Sequence, residues 1–189
     1  RLMISSLTVV ISRALISPLL TLFLSNKLGL NPQDVGLLLG IAVFSATLLS
    51  LYGGYIIDRL NKRQLLILTM LSSGIGLMLL TFAQNLYLVT LVLIISETAS
   101  ALFLICSKAI LSENLPIGQR VKAFSLNYTL TNIGYAVGPM IGVVIAGIQP
   151  AAPFIVAGAI ACGSVFLMLG AAREVNPISP LGQPQSFLN

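Results

Sequence analysis

Six long apolar runs, each closed by a short polar break, organise the chain. They extend from about Leu2 to Ser25, Pro32 to Ile57, Gln64 to Phe82, Leu86 to Leu111, Ala123 to Ile148 and Phe154 to Ala172. A helix needs about 20 mostly apolar residues to cross a bilayer core, and six such helices joined by tight loops fill a chain of this length. The predicted fold class is therefore all-α membrane, with six transmembrane helices over residues 1–175 and the start of an inter-domain linker at residues 176–189. The breaks carry helix-boundary chemistry. In Asn31-Pro32-Gln33-Asp34, asparagine is placed to cap, proline suits the first helical position and aspartate opposes the positive end of the helix dipole. Gln84-Asn85 predicts a tight turn, and Gln149, Pro150 and Pro153 interrupt the apolar pattern before the sixth run.

Composition supports lipid as the solvent. Hydrophobic residues make up 57% of the chain and charged residues 8%, against a charged share of about 25% in ordinary soluble domains. So little charge cannot coat a water-soluble globule of 189 residues. The net charge of +5 sits in the breaks: Arg1, Arg59, Lys62, Arg63, Arg120, Lys122 and Arg173 fall at one end of the predicted bundle and Lys27 at the other. The positive-inside rule then puts both termini in the cytoplasm, in a plasma (inner) membrane. No basic tract follows a phosphate backbone and tryptophan is absent, which argues against nucleic acid as a partner. Cys106 and Cys162 both lie in apolar runs and read as small packing residues. Histidine is absent, so any proton relay must use carboxylates, and no cofactor or metal ligand set is expected. The first run is too long for a signal-peptide core and reads as a true span. The opening at Arg1 and the Pro/Ser/Gln-rich ending read as those of a longer protein.

Three segments carry a resemblance. The loop Gly54-Tyr55-Ile56-Ile57-Asp58-Arg59-Leu60-Asn61-Lys62-Arg63 resembles the loop signature of the major facilitator superfamily, in which glycine, three residues, Asp-Arg, one residue and glycine precede two basic residues. Asn61 stands where glycine is usual, and asparagine tolerates a left-handed turn better than other non-glycine residues. The resemblance implies that Asp58 pairs with an arginine and a helix end in a second six-helix half, as a latch for the outward-open state. In the fifth run, Gly134-Tyr135-Ala136-Val137-Gly138-Pro139-Met140-Ile141-Gly142 resembles the antiporter signature, though Val143 replaces a closing glycine. Glycines four residues apart make one smooth helix face, and Pro139 removes a backbone donor. The resemblance implies that this face packs against the opposite half. At the end of the fourth run, Ser112-Glu113-Asn114-Leu115-Pro116 through Arg120 resembles the family's acidic exit; Glu113, Arg120 and Asp58 are then expected in one charge cluster, with an isolated solvent-facing pair of little stabilising effect as the alternative. The stretch from Lys122 to Thr129, leading to Asn132-Ile133-Gly134, is similar to bacterial multidrug and dipeptide exporters. No internal sequence repeat is strong, although runs two and five both carry spaced glycines, as an inverted three-plus-three repeat would allow.

Charges inside apolar runs locate the candidate chemistry. A charged residue at mid-membrane costs about 2.5–3.5 kcal/mol on insertion scales, while each Leu, Ile, Val or Phe offsets about 0.3–0.6. The first run holds thirteen of those apolar residues between Leu2 and Leu24, enough to carry Arg13. Counting inward from the run ends puts Arg13 and Glu97 near the same mid-depth. Lys108, three helical turns beyond Glu97, falls on the same face about 16 Å nearer the cytoplasm at about 1.5 Å per residue. The family fold implies that runs one and four line a central cavity, so Arg13, Glu97 and Lys108 are expected to face it. Tyr128, Asn132 and Tyr135 share a face of run five and are candidates for the same cavity.

The expected function is a secondary active transporter that exports small amphipathic compounds or short peptides in exchange for protons by alternating access. Glu97 is the expected protonation site, as the one mid-span carboxylate. A purely structural Arg13–Glu97 pair is the alternative, and Arg13 is also suited to an anionic substrate group such as a peptide carboxylate. The expected partners are the bilayer, the substrate, protons and a carboxyl-terminal six-helix half. Rival functions are a nutrient importer of the same superfamily and a non-transporting membrane scaffold or receptor subunit. An enzyme is not expected, because no serine–histidine pair or metal cluster can form without histidine.

Overall fold

A computed structural model describes residues 2–171, with the side chains of Leu2, Ile56, Asp58 and Ala171 outside that description. Arg1, Arg173 and the linker predicted at residues 176–189 also lie outside it. The described chain is helical throughout: α1 (Leu2–Leu28), α2 (Pro32–Leu51), α3 (Gly53–Arg59), α4 (Lys62–Phe82), α5 (Leu86–Glu113), α6 (Ile117–Ala146) and α7 (Ala152–Ala171). Six of these, all but α3, are long and apolar enough to cross a membrane.

The helix ends follow local chemistry. Gly29, directly after α1, has φ of 66°, the left-handed conformation that stops a helix at low cost only for glycine. Pro32 opens α2, but Asn31 makes no side-chain cap bond, contrary to the expectation for that tetrad. Asparagine caps elsewhere. Asn61 Oδ1 accepts from the backbone N–H of Arg63 at 3.1 Å and Gln64 at 3.5 Å, and Asn85 Oδ1 accepts from Tyr87 N–H at 2.9 Å. Asn61 is therefore extended (φ −65°, ψ 107°) rather than left-handed. It starts α4 by satisfying orphan donors, a task glycine cannot perform.

The second predicted run is not one helix. It breaks at Tyr52, between α2 and α3. Just before the break, Thr47 and Ser50 turn their hydroxyls back onto the carbonyls of Val43 and Thr47, each at 2.8 Å, a bonding pattern that bends helices. At Gly53 a Cβ would come within 2.7 Å of Leu102 Cδ2, so the missing side chain lets α5 in.

The packing has an internal two-fold pattern. α1 lies against α6 and α7, α5 lies against α2 and α4, and α4 lies against α7. Exchanging the first three spans (α1, α2, α4) with the last three (α5, α6, α7) maps each of these contacts onto another or onto itself, as an inverted three-plus-three repeat requires. The α4–α7 contact is the one mapped onto itself, and two glycines meet there. A Cβ on Gly74 would lie 2.8 Å from the Gly158 carbonyl oxygen, and one on Gly158 would lie 2.6 Å from that of Gly74.

Two apolar clusters stack along the bundle. One, at what we call the Lys27 end, includes Leu24, Val35, Leu80, Val89 and Phe154; the other, at the basic end beside Arg59, Lys62 and Arg63, includes Val9, Leu66, Phe103, Cys106 and Met168. The buried or half-buried polar residues Ser12, Arg13, Ser73, Ser96, Glu97 and Ser100 lie between them in sequence on α1, α4 and α5.

Candidate functional site

Arg13 and Glu97 form an ion pair across α1 and α5. Arg13 Nη2 donates to both carboxylate oxygens, at 2.7 Å to Oε1 and 2.6 Å to Oε2, while Nη1 donates to Ser100 Oγ. Charge-assisted bonds of this kind are roughly twice as strong as neutral ones. The side chains are 27% and 24% exposed, so the pair is largely desolvated yet reachable from one side. Ser100, one helical turn after Ser96, donates its hydroxyl proton to the Ser96 carbonyl at 2.8 Å and stands 3.0 Å from Ser73 Oγ on α4. The network therefore joins three helices at mid-span.

About two turns from Arg13 toward the basic end, Ser6 and Ser107, both buried, bond across the same two helices at 2.9 Å. Lys108 follows immediately and is exposed, with no ion-pair partner among the described residues. Glu97, Ala101, Leu104 and Lys108 recur at helical spacing and pass from half-buried to exposed, so Glu97 and Lys108 share an open stripe of α5. Arg13 and Glu97 are brought together; Lys108 is not joined to them.

Tyr128, Asn132 and Tyr135 are exposed on α6, where the Asn132 amide bonds only to its own helix, on the Tyr128 carbonyl at 3.0 Å. Gly134, Gly138 and Gly142 are buried, with Pro139 inside the same unbroken helix. Their face is turned to α1. A Cβ would come within 3.0 Å of Val10 Cγ1 at Gly134, 2.5 Å of Ala14 Cβ at Gly138 and 1.9 Å of the Leu15 carbonyl oxygen at Gly142. The expectation that this face packs on an opposite half is thus corrected. It is occupied within these six helices, because only a side chain no larger than hydrogen lets α6 rest on the α1 backbone beside Arg13.

Of the charge cluster expected of Glu113, Arg120 and Asp58, the described residues show Glu113 and Arg120 in separate contacts. Glu113 pairs with Lys62, while Arg120 Nε donates to the Leu115 carbonyl at 3.0 Å. Arg120 lies in the first turn of α6, close to the carbonyl that the α5–α6 connection leaves unpaired, so it serves that turn. Gly54 is exposed with open space around it, Arg59 stacks 4.3 Å from the centre of the Tyr55 ring, and Arg63 is exposed. The Asp58 side chain lies outside the described residues. The partners that sequence reasoning missed are hydroxyls: Ser100, Ser73, Ser6 and Ser107. Their signal was present in Ser96, Ser100 and Ser107, spaced four and seven residues apart beside Glu97, but serines are common in apolar helices and carry no charge to single them out.

The sequence profile of the Major Facilitator Superfamily matches residues 2–187. Among individual proteins, the chain is 31% identical over 141 residues to the uncharacterized MFS-type transporter YdeE of Escherichia coli, covering 75% of this chain and 36% of YdeE. It is 28% identical over 139 residues to the uncharacterized MFS-type transporter YqjV of Bacillus subtilis, covering 74% of this chain and 34% of YqjV. It is 25% identical over 146 residues to the quinolone resistance protein NorA of Staphylococcus aureus, covering 77% of this chain and 37% of NorA. The matched region spans about a third of the length of these relatives.

Proposed function

Since the chain belongs to the major facilitator superfamily, we propose that its six helices are the amino-terminal half of a proton-coupled exporter of small amphipathic compounds or short peptides. This half rocks against a second six-helix half in alternating access, with both termini cytoplasmic. The observation that carries the reading is the mid-span Arg13–Glu97 pair with its serine network. The similarity to NorA, whose name records quinolone resistance, supports export over nutrient import.

Donor and acceptor inventory supplies the coupling. A guanidinium only donates and an ionised carboxylate only accepts, so the pair is complete while Glu97 is charged. A proton taken up by Glu97 makes it a neutral acid whose new O–H finds no acceptor on Arg13. The ion-pair attraction ends, and Arg13 keeps its bond to Ser100 and a weaker one to the remaining, now neutral, carbonyl oxygen of Glu97. Proton uptake thus loosens α5 from α1 at mid-span, leaving the Arg13–Ser100 and Ser6–Ser107 bonds, and proton loss tightens the joint again. A guanidinium freed in this way is suited to an anionic group of the substrate. Lys108, Tyr128, Asn132 and Tyr135 would contribute to the cavity wall, and the Asp58 loop to the latch between halves.

The test uses full-length protein in vesicles under an imposed pH gradient, with a fluorescent amphipathic dye and a labelled dipeptide as probes. Glu97→Gln should abolish gradient-driven export while leaving insertion and the elution profile in detergent unchanged. Undiminished coupled transport by this variant would remove Glu97 from the mechanism, and uptake in place of extrusion by the native protein would favour the importer. A scaffold predicts no substrate-dependent proton flux at all.

A further inference from the structure

We propose that Ser73 of α4 is a positioning residue for proton-coupled transport: acting through Ser100, it holds the Arg13 guanidinium against Glu97. The inference rests on the reading of Glu97 as the protonation site and adds a third helix to it.

The direction of every bond in the network follows from its members. Ser100 has one proton and two lone pairs. Its proton is on the Ser96 carbonyl at 2.8 Å, so toward its other partners it can only accept. Arg13 Nη1, which can only donate, takes one lone pair. The other faces Ser73 Oγ at 3.0 Å, which makes Ser73 the donor. Ser73 and Ser100 are 2% and 4% exposed, so water does not readily replace either. The two donors and the Ser96 carbonyl saturate Ser100 and fix its hydroxyl as an acceptor aimed at the guanidinium.

Without the Ser73 hydroxyl, Ser100 is left with an empty buried lone pair and one fewer restraint. The Nη1 anchor then weakens, and the guanidinium is presented less firmly to the carboxylate. That loss falls more on the charged form of Glu97, which the guanidinium holds by charge-assisted bonds, than on the protonated form, which it holds only by a weaker bond to a neutral oxygen. Proton-coupled transport should therefore reach its half-maximal point at higher pH. Among the described residues, no other ionic group lies at this depth beside the carboxylate. Among the elements packed on α5, α2 carries Asp34 at its start, α3 carries Asp58 and Arg59, α4 carries Lys62 and Arg63 at its start, and α6 carries Arg120 and Lys122 at its start. The other charge of α1 is Lys27 near its end, and those of α5 are Lys108, about 16 Å along the helix, and Glu113 at its terminus.

The experiment measures the pH profile of gradient-driven export of the same dye and dipeptide by full-length protein in vesicles. Ser73→Ala should move the half-maximal pH upward by about half a unit to one unit, the equivalent of one net hydrogen bond, with the maximal rate retained. Ser73→Cys, close in size but a weaker donor, should move it less. A maximal rate that falls with an unmoved profile would mean a merely structural serine and overturn the proposal. If Ser73→Ala does not insert, an unmoved profile in Ser73→Cys overturns it equally. Native protein that transports both probes with no pH dependence, or Glu97→Gln that matches the native protein, would instead refute the reading of Glu97 and take the Ser73 inference with it. An unmoved Ser73 profile beside an inactive Glu97→Gln sinks the Ser73 inference alone.

Discussion

Replacing Gly142 by alanine tests the α1–α6 contact most directly. The new Cβ would lie 1.9 Å from the Leu15 carbonyl oxygen and 2.9 Å from its carbonyl carbon, both backbone atoms that no rotamer change can move. A carbon–oxygen contact normally settles at about 3.3 Å or more, so α6 must back away from α1 by about 1.4 Å. The graded series sharpens the expectation. At Gly138 the first obstacle is the Ala14 Cβ at 2.5 Å, followed by backbone at 3.0 Å; at Gly134 it is the movable tip of Val10 at 3.0 Å. Destabilisation should therefore fall in the order Gly142→Ala, Gly138→Ala, Gly134→Ala. Overpacking of this kind costs about 1–3 kcal/mol. Alanine is the better helix former by about 1 kcal/mol, which partly masks the steric cost and calls for a control. Gly40 in α2 supplies it: the residue is exposed and a Cβ there meets nothing within 4 Å, so Gly40→Ala should be neutral or mildly stabilising. Denaturant titration in mixed micelles reads all four variants, and the gap between Gly40→Ala and Gly142→Ala isolates the steric term. Equal midpoints for those two, or Gly134→Ala as the most damaging of the ladder, would refute the packing argument.

Two ends of the bundle give contrasting expectations. Lys27 Nζ donates to the Leu80 and Thr81 carbonyls at 2.7 and 2.6 Å, closing the last turn of α4 with a cation where the helix dipole favours one. Lys27→Met should cost about 1–2 kcal/mol in the same micelle titration, and a cost near zero would mean that lipid or water replaces the ammonium without loss. The Lys62–Glu113 pair is more open, with 55% of the Glu113 side chain exposed, so Glu113→Gln should cost less than about 1 kcal/mol, with a difference from the native protein that shrinks in added salt.

The sequence made the spans legible because lipid imposes a simple rule: a run of about 20 apolar residues with its backbone bonded internally. It was less informative wherever two chemistries compete for one position. Ala123 was read as the start of the fifth span because Arg120 and Lys122 look like loop residues, yet α6 begins at Ile117, since a helix continues into water as readily as basic side chains reach it. Asn61 was read as a substitute for a flexible glycine and turned out to be a cap. Span two was read as unbroken because hydropathy is blind to the hydroxyl back-bonds of Thr47 and Ser50. At the site, the Arg13–Glu97 pairing was readable from depth together with the family fold, which implies that runs one and four line one cavity; two opposite charges at one level there have few other partners. The serines that orient the pair were not, because a buried hydroxyl costs little and leaves no compositional mark.

How firmly each pair of helices is joined follows from which atoms make the joint. At Gly142–Leu15 and Gly74–Gly158 backbone meets backbone, so displacement opens a gap that no side chain can fill. α1 and α5 meet only sparsely by comparison, and polar side chains bridge them: Arg13 to Glu97 and Ser100 at mid-span, Ser6 to Ser107 toward the basic end. Opening that seam costs those polar bonds and little packing, and one proton on Glu97 would weaken the strongest of them. The glycine contacts hold α1 to α6 and α4 to α7, and α1 also packs on α7, while α5 keeps α2 and packs on α4. A change in the ionic pair is therefore met by two differently constrained walls: α1, backed by close glycine contact one and two residues beyond Arg13, and α5, where Ser100 is bonded to Ser73 of α4 and Ser96 packs against Gly76. Movement at the seam then falls to the arginine and glutamate side chains first, and the one side-chain bond among the described residues that reaches this network from α4, the helix packed against α5, is that of Ser73 to Ser100.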